Sequence, residues 1–509
     1  MTQSIFRKAF TMGGLVAALA LPLVGCGSDD DDSNPAGSGE SGGTGGSGGT
    51  AGPTKPLKAM VRVVHASPTA PPVDLYAAGN TTPLVESIDY GTATSYLALP
   101  EGQYDLEIRA AGANPADPPA YEVNGLRVMA GQKYTAIAAG DLGSADAAEE
   151  FRVIALQEGF DLPGKGMARA RIVHASSDAP TVDLDVGNDD PAKPELVGLE
   201  RFAETGEAGV ELPAGTALQV GVAAGGSTVT AFTTPKLPDG GQLFVIATGQ
   251  LSELPRSDVG FSLLAVLPDS STAWIRQNPF VYGLHASPNA PAVDIYVGDA
   301  EVFDNVPFGA MGRIQVPPAA YTLDFFPGIA GPTARPATSP AASADTPDLV
   351  AGNTYVAIAT GLLGGSGTQA FQLFPIAEGF SAPGMGQAAV RVAHASPDAP
   401  AVDIGTVTNP GMLDDNPPIV GAAFAAATDS AGLKLPASTA LTLGVAATGT
   451  AATVAEFDVN FADGQRLTAV AVGLLAPASG QPAFQLLVID QTSTSILDPW
   501  SVASLTPNR

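Results

Sequence analysis

Apolar and polar positions alternate in short runs along most of the chain. Val61 to His65, Val73 to Tyr76, Tyr104 to Arg109, Tyr134 to Ala139 and Phe151 to Leu156 are β-branched or aromatic stretches bounded by glycine and proline. That is the pattern of short strands separated by turns. With 59 Gly and 44 Pro in 509 residues, long helices are disfavoured, because both residues break them. Strands at this spacing in units of about 100 residues predict an all-β chain of antiparallel β-sandwiches. The cysteine pair and core tryptophan of immunoglobulin domains are missing, so the expected likeness is Ig-like in architecture alone.

The strand pattern repeats. Val61-Arg-Val-Val-His65-Ala-Ser-Pro-Thr-Ala-Pro-Pro-Val-Asp-Leu-Tyr76 recurs as His174-Ala-Ser-Ser-Asp-Ala-Pro-Thr-Val-Asp183, His285-Ala-Ser-Pro-Asn-Ala-Pro-Ala-Val-Asp294 and His394-Ala-Ser-Pro-Asp-Ala-Pro-Ala-Val-Asp403. These are the four histidines of the chain, and they predict four tandem domains. A finer similarity joins alternate copies. Tyr134 to Gly140 matches Tyr355 to Gly361, whereas Leu212 to Leu218 matches Leu435 to Leu441. A two-domain unit duplicated whole accounts for both. The expected division is 59–163, 167–270, 279–383 and 387–495 for the four β-domains, with 496–509 as a C-terminal tail. Each pair is expected to be a unit, and the link from Ser270 to Pro279 to be the main hinge.

The first 58 residues follow another pattern. Arg7 and Lys8 precede an apolar stretch from about Met12 to Val24 that ends in Leu23-Val24-Gly25-Cys26. The stretch is short for a membrane span, and the last four residues resemble the bacterial lipoprotein signal motif. That resemblance implies removal of a signal peptide, 1–25, and lipidation of Cys26. It also implies outer-membrane sorting where the host has such a membrane, since Gly27 rather than Asp follows the cysteine. Residues 26–58 are rich in Gly, Ser, Thr, Asp and Pro, and nothing in them can bury a core. They predict a disordered, lipid-anchored tether. Gly45-Gly46-Ser47-Gly48-Gly49 fits the spacing of a nucleophile elbow, but without the strand and helix that give such a turn its chemistry.

Composition removes several functions. Net charge is −28, from 23 Lys and Arg against 51 Asp and Glu. Such a surface repels phosphate backbones, which argues against nucleic acid as a partner. One cysteine allows neither an internal disulfide nor a thiolate metal site. No glycine-rich loop follows a strand and opens a helix, so no nucleotide cofactor is expected. Trp274 and Trp500 are the two tryptophans available for stacking on a sugar.

The repeated His-Ala-Ser-Pro-x-Ala-Pro-x-Val-Asp block resembles the signature of a bacterial surface domain, domain-of-unknown-function family 4397, over about residues 59 to 495. The resemblance implies secreted or lipid-anchored proteins with tandem β-domains and no established activity. Two copies depart from the pattern: Ser177 replaces the proline, and Gly405 stands where the first copy has Tyr76.

The candidate site residues are His65, Asp74, His174, Asp183, His285, Asp294, His394 and Asp403. In one reading each imidazole clamps the rigid Ser-Pro-x-Ala-Pro loop and each aspartate braces the following strand. In a second, the histidines ligate metal, though one histidine and no cysteine per domain falls short of a zinc ligand set. In a third, Ser67, His65 and Asp74 act as a triad, for which no oxyanion hole is evident. Asp183 to Asp190 is acidic enough to suggest a calcium loop but lacks the EF-hand spacing. The leading expectation is a non-enzymatic cell-envelope lipoprotein, membrane-held through Cys26, whose modules serve adhesion, envelope contact or ligand binding without a cofactor, catalytic residues or metal. The alternatives are a hydrolase or metal-dependent enzyme at the His/Ser/Asp loops, and a passive spacer.

Overall fold

The computed structural model describes residues 57–331 and 333–508. The segments expected to be a signal peptide and a tether, with Cys26, lie outside the described residues up to residue 56. The described chain is built from strands, in four sandwiches.

The first sandwich shows the plan. Its strands are β1 (Ala59–His65), β2 (Val73–Ala77), β3 (Val85–Ile88), β4 (Leu97–Leu99), β5 (Gly102–Ala110), β6 (Tyr121–Val128), β7 (Lys133–Ala139) and β8 (Arg152–Gln157). They form two four-stranded sheets, β4-β1-β7-β8 and β3-β2-β5-β6. Val63, Ala136 and Ala138 of one sheet pack on Val73, Leu75, Leu106 and Ile108 of the other. Pairing is antiparallel with one exception: β1 runs parallel to β7 from Met60 to His65. The second sheet lies between them in sequence and supplies the long crossover that a parallel pair requires. The same parallel pair recurs as Met167–His174 with Gln242–Thr248, Phe280–His285 with Thr354–Thr360, and Gln387–His394 with Arg466–Val472.

The first strand of each repeat is apolar on both faces because both faces are covered. Val63 points into its own sandwich, while Val64 joins Ala66, Ile137 and Ala139 against Val173, Ala175, Phe244 and Ile246 of the second sandwich. In the second pair Leu284, Ala286 and Ile358 meet Ala393, Ala395 and Val470. Equivalent residues face each other across both junctions, so each pair is a pseudo-twofold, isologous interface. Buried hydroxyls cross it: Thr248 Oγ1 donates to Ala66 O at 2.6 Å and Thr360 Oγ1 to Ala395 O at 2.8 Å. Arg62, 2% exposed, donates to Thr135 Oγ1 and to Leu267 O of the second sandwich, with Glu158 at 3.4 Å.

Two expectations require correction. Residues 496–509 are not a free tail. Ser501–Leu505 adds an edge strand to Gln485–Asp490, as Thr272–Ile275 does to Ser262–Val266 in the second sandwich. The link from Ser270 to Pro279 is not a hinge either. Gln277 and Asn278 are buried and fully engaged: Thr230 Oγ1 donates to Gln277 Oε1, Gly352 N to Gln277 O, and Gln315 Nε2 to Asn278 O. Arg256 further pairs with Glu378 across the junction, and Ile496 packs into the core of the second sandwich. The amides looked like linker composition in the sequence; they are polar groups buried because their partners are supplied from three segments.

Candidate functional site

Each repeated motif leaves the end of its first strand and turns across the mouth of the sandwich, which buries the histidine at that edge. Exposure of His65, His174, His285 and His394 is 3% or less. His65 Nε2 donates to Pro71 O at 3.1 Å, His174 Nε2 to Pro180 O at 2.9 Å, His285 Nε2 to Pro291 O at 2.9 Å and His394 Nε2 to Pro400 O at 3.0 Å. The other ring nitrogen fixes the tautomer. Nδ1 of His65, His285 and His394 accepts the backbone N–H of Ser67, Ser287 and Ser396, each at 3.3 Å. Each of these imidazoles is therefore neutral with its proton on Nε2. Burial holds all four pKa values below the ordinary 6.5, against the opposing pull of the proline carbonyl.

The serine hydroxyls point elsewhere. Ser67, Ser176, Ser287 and Ser396 are fully buried and donate to Gly140 O, Gly249 O, Gly361 O and Gly473 O at 2.5 to 2.8 Å. Glycine is required at the acceptor: Gly361 has φ +86°, and a Cβ there would lie 2.2 Å from Ala370 O. Imidazole and hydroxyl are thus engaged with backbone rather than with each other, and the hydroxyls of Ser176 and Ser396 also lie 3.3 and 3.4 Å from Asp178 Oδ1 and Asp398 Oδ1. Ser287→Ala is expected to cost roughly 1–3 kcal/mol, the penalty for leaving a buried carbonyl unpaired; urea unfolding of the full chain measures it.

The aspartates bond the second sheet. Asp74 accepts Ser87 N at 2.7 Å and Gly112 N at 2.9 Å; Asp294 accepts Asn305 N at 2.8 Å and Ile329 N at 3.0 Å. Asp403 accepts Gly421 N at 2.7 Å and Gly449 N at 3.0 Å, and those donors hold its carboxyl below the usual range. Asp183 accepts Gly198 N at 2.7 Å. In each case one donor, Ser87, Gly198, Asn305 or Gly421, has positive φ. It lies in an edge-strand bulge that the carboxylate stabilises by taking up its N–H.

The variable fifth position of the motif is a further bracing residue, one the sequence reading passed over. Asp178 accepts Leu251 N and Ser252 N, Asp398 accepts Leu475 N and Ala476 N, Asn289 accepts Leu363 N, and Thr69 accepts Leu142 N. Its signal was the restriction to Thr, Asp and Asn, all side chains that accept a local N–H. The departure at Ser177 has a cause as well: its hydroxyl donates to Asp141 of the first sandwich at 2.8 Å.

Among the described residues one group of carboxylates is close-set. Asp294, Glu301 and Asp304 bring oxygens within 4.8 Å of one another, and each also accepts a backbone N–H, from Asn305, Thr333 and Gly331. In the acidic loop of the second sandwich, Asp185 is buried and burial raises its pKa.

The family model described as a domain of unknown function (DUF4397) matches residues 59–185 and 279–405. Each match covers an odd-numbered sandwich and the first two strands of the next. No curated protein matches the chain. Among solved structures, the Bacillus anthracis TIE protein aligns over 79% of this chain with 10% identity and a TM-score of 0.13. The alignment spans 65% of that protein, just under two thirds of its length.

Proposed function

From this family footing, which carries no assigned activity, we propose that the chain is a non-enzymatic envelope lipoprotein. In this reading Cys26 carries the lipid, and the four sandwiches form a stiff module held off the membrane for adhesion, envelope contact or ligand capture. The observation that supports it most is the fate of the repeated polar residues. Histidine and serine are buried in every copy and the aspartate in three, Asp183 being half-buried, and all are directed at backbone groups, which is scaffold chemistry rather than turnover. Buried junctions within and between the pairs support stiffness, and a stiff repeat presents a distant surface without losing reach to coiling.

Membrane fractionation with protease shaving of intact cells tests the reading. The wild-type chain is expected to sediment with membranes, Cys26→Ser to move to the soluble fraction, and the folded region to be lost on shaving. A Cys26→Ser chain that stays with the membrane would refute the anchor. Protection from shaving until the outer membrane is permeabilised would turn the search for partners to the periplasm.

A further inference from the structure

The second sandwich is hollow. Between its sheets lies a cavity of about 310 Å³, against about 40 Å³ in the third sandwich. The difference traces to equivalent positions. In the third sandwich Phe303 and Phe325 both stand opposite Ile295. In the second, the residues opposite Leu184 are Leu196 and Val222. Ile172 in place of Gly283 returns part of the lost volume. At the open end Leu237, whose carbonyl accepts Gly215 N, occupies the place held in the fourth sandwich by Phe461, whose carbonyl accepts Ser438 N.

A dry cavity of this size forfeits dispersion contacts on every wall. An engineered apolar cavity of about 150 Å³ takes up benzene, and natural ligand sites begin near 300 Å³. The lining is aliphatic apart from His174, Thr234, Phe261 and Lys236, and sheets packed about 10 Å apart leave a slot that suits a chain better than a fused ring system. One charged side chain lines it: Lys236, in the segment 234–238 that closes the end of the sandwich. Lys236 is solvent-exposed, so it stands where the cavity meets water. It forms no ion pair among the described residues, although the chain carries 51 acidic side chains. An unpaired ammonium at the mouth of an apolar slot selects an amphiphile with an anionic head.

We propose that the second sandwich binds one long-chain aliphatic carboxylate, with its chain between the sheets and its carboxylate at Lys236. The site goes beyond the scaffold role, because the motif supplies only His174 and Val182 of its lining while Val222 and Lys236 lie outside it.

The test titrates the full chain carrying Cys26→Ser, so that no attached acyl group competes, with the fluorescent fatty acid cis-parinaric acid and then displaces it with dodecanoate or dodecanol. One saturable site is expected, displaced better by dodecanoate. Val222→Phe, which restores the aromatic of the third sandwich, should abolish it while raising the melting temperature. Leu184→Phe, at a position that lines the cavity, is the second filling variant, should Val222→Phe fail to fold. Lys236→Gln should weaken binding roughly tenfold, the loss of a charge-assisted contact. Absence of saturable binding, or binding unchanged in the filling variants, would overturn the site. Equal displacement by dodecanol and dodecanoate would overturn the carboxylate assignment.

Discussion

Trp500→Ala will lower the stability of the second pair by about 3–5 kcal/mol, the range for deleting a buried tryptophan. Trp500 is 8% exposed and stacks on Tyr282, with ring centroids 4.5 Å apart and planes 16° from parallel. Its backbone N–H donates to the Tyr282 hydroxyl at 3.1 Å and its indole N–H to Ser493 O at 3.3 Å. It belongs to the cluster in which Leu284 and Ile358 meet Val470 and Ile489, so its loss opens a void at the junction of the third and fourth sandwiches. The first pair uses a related device: Trp274, from the closing strand of the second sandwich, packs on Tyr90 of the first at 5.3 Å. Guanidinium unfolding followed by circular dichroism measures the change, with the fluorescence of Trp274 reporting the first pair as an internal reference. A loss under about 1 kcal/mol would mean that the C-terminal segment does not clamp the pair.

The strand runs, the number of repeats and their pairing were legible because they rest on local signals: period-two alternation, breaker residues and a near-identical loop. Two features were not, and both depend on distant partners. The parallel pairing of β1 with β7 joins strands separated by a whole sheet, and nothing in either strand's composition distinguishes a parallel neighbour from an antiparallel one. The junctions were misjudged for the same reason. Gln277 and Asn278 resemble linker until Thr230 and Gln315 are brought to them, and Trp500 resembles part of a tail until Tyr282 is placed beneath it.

The repeated motif was legible as a loop with bonded imidazoles, but its partners were not. The proline six residues on is within reach of a local argument; the glycine that accepts the serine hydroxyl, 73 residues from Ser67, is not. The hollow in the second sandwich was hidden too, because Leu196 and Val222 are ordinary strand residues. They become informative beside Phe303 and Phe325 in the same register.

Acidification from pH 7 to pH 5 will destabilise the chain, and the four histidines will carry the effect. Burial lowers the pKa of each in the folded state, while the unfolded side chain titrates near 6.5. Above pH 6.5 the imidazoles are neutral in both states and their contribution is fully present. Below it the unfolded chain takes up protons that the folded chain refuses, so stability falls with pH until the folded pKa values are reached. The limiting slope for each histidine is about 1.4 kcal/mol per pH unit, and four equivalent sites make this the largest pH effect in the neutral range. Carboxylates act in a separate window. Asp403, whose pKa the Gly421 and Gly449 donors depress from 3.8, keeps its contribution above that value and loses it in stronger acid. Melting temperature against pH separates the two. The wild-type curve is expected to fall between pH 6.5 and 5. His285→Asn, which removes one titrating ring, should start lower at pH 7 and fall less steeply. A flat wild-type curve from pH 7 to 5, or an unchanged slope in the variant, would show that protonated imidazoles are tolerated in the folded loops, and the backbone clamp would have to be redrawn with a charged ring.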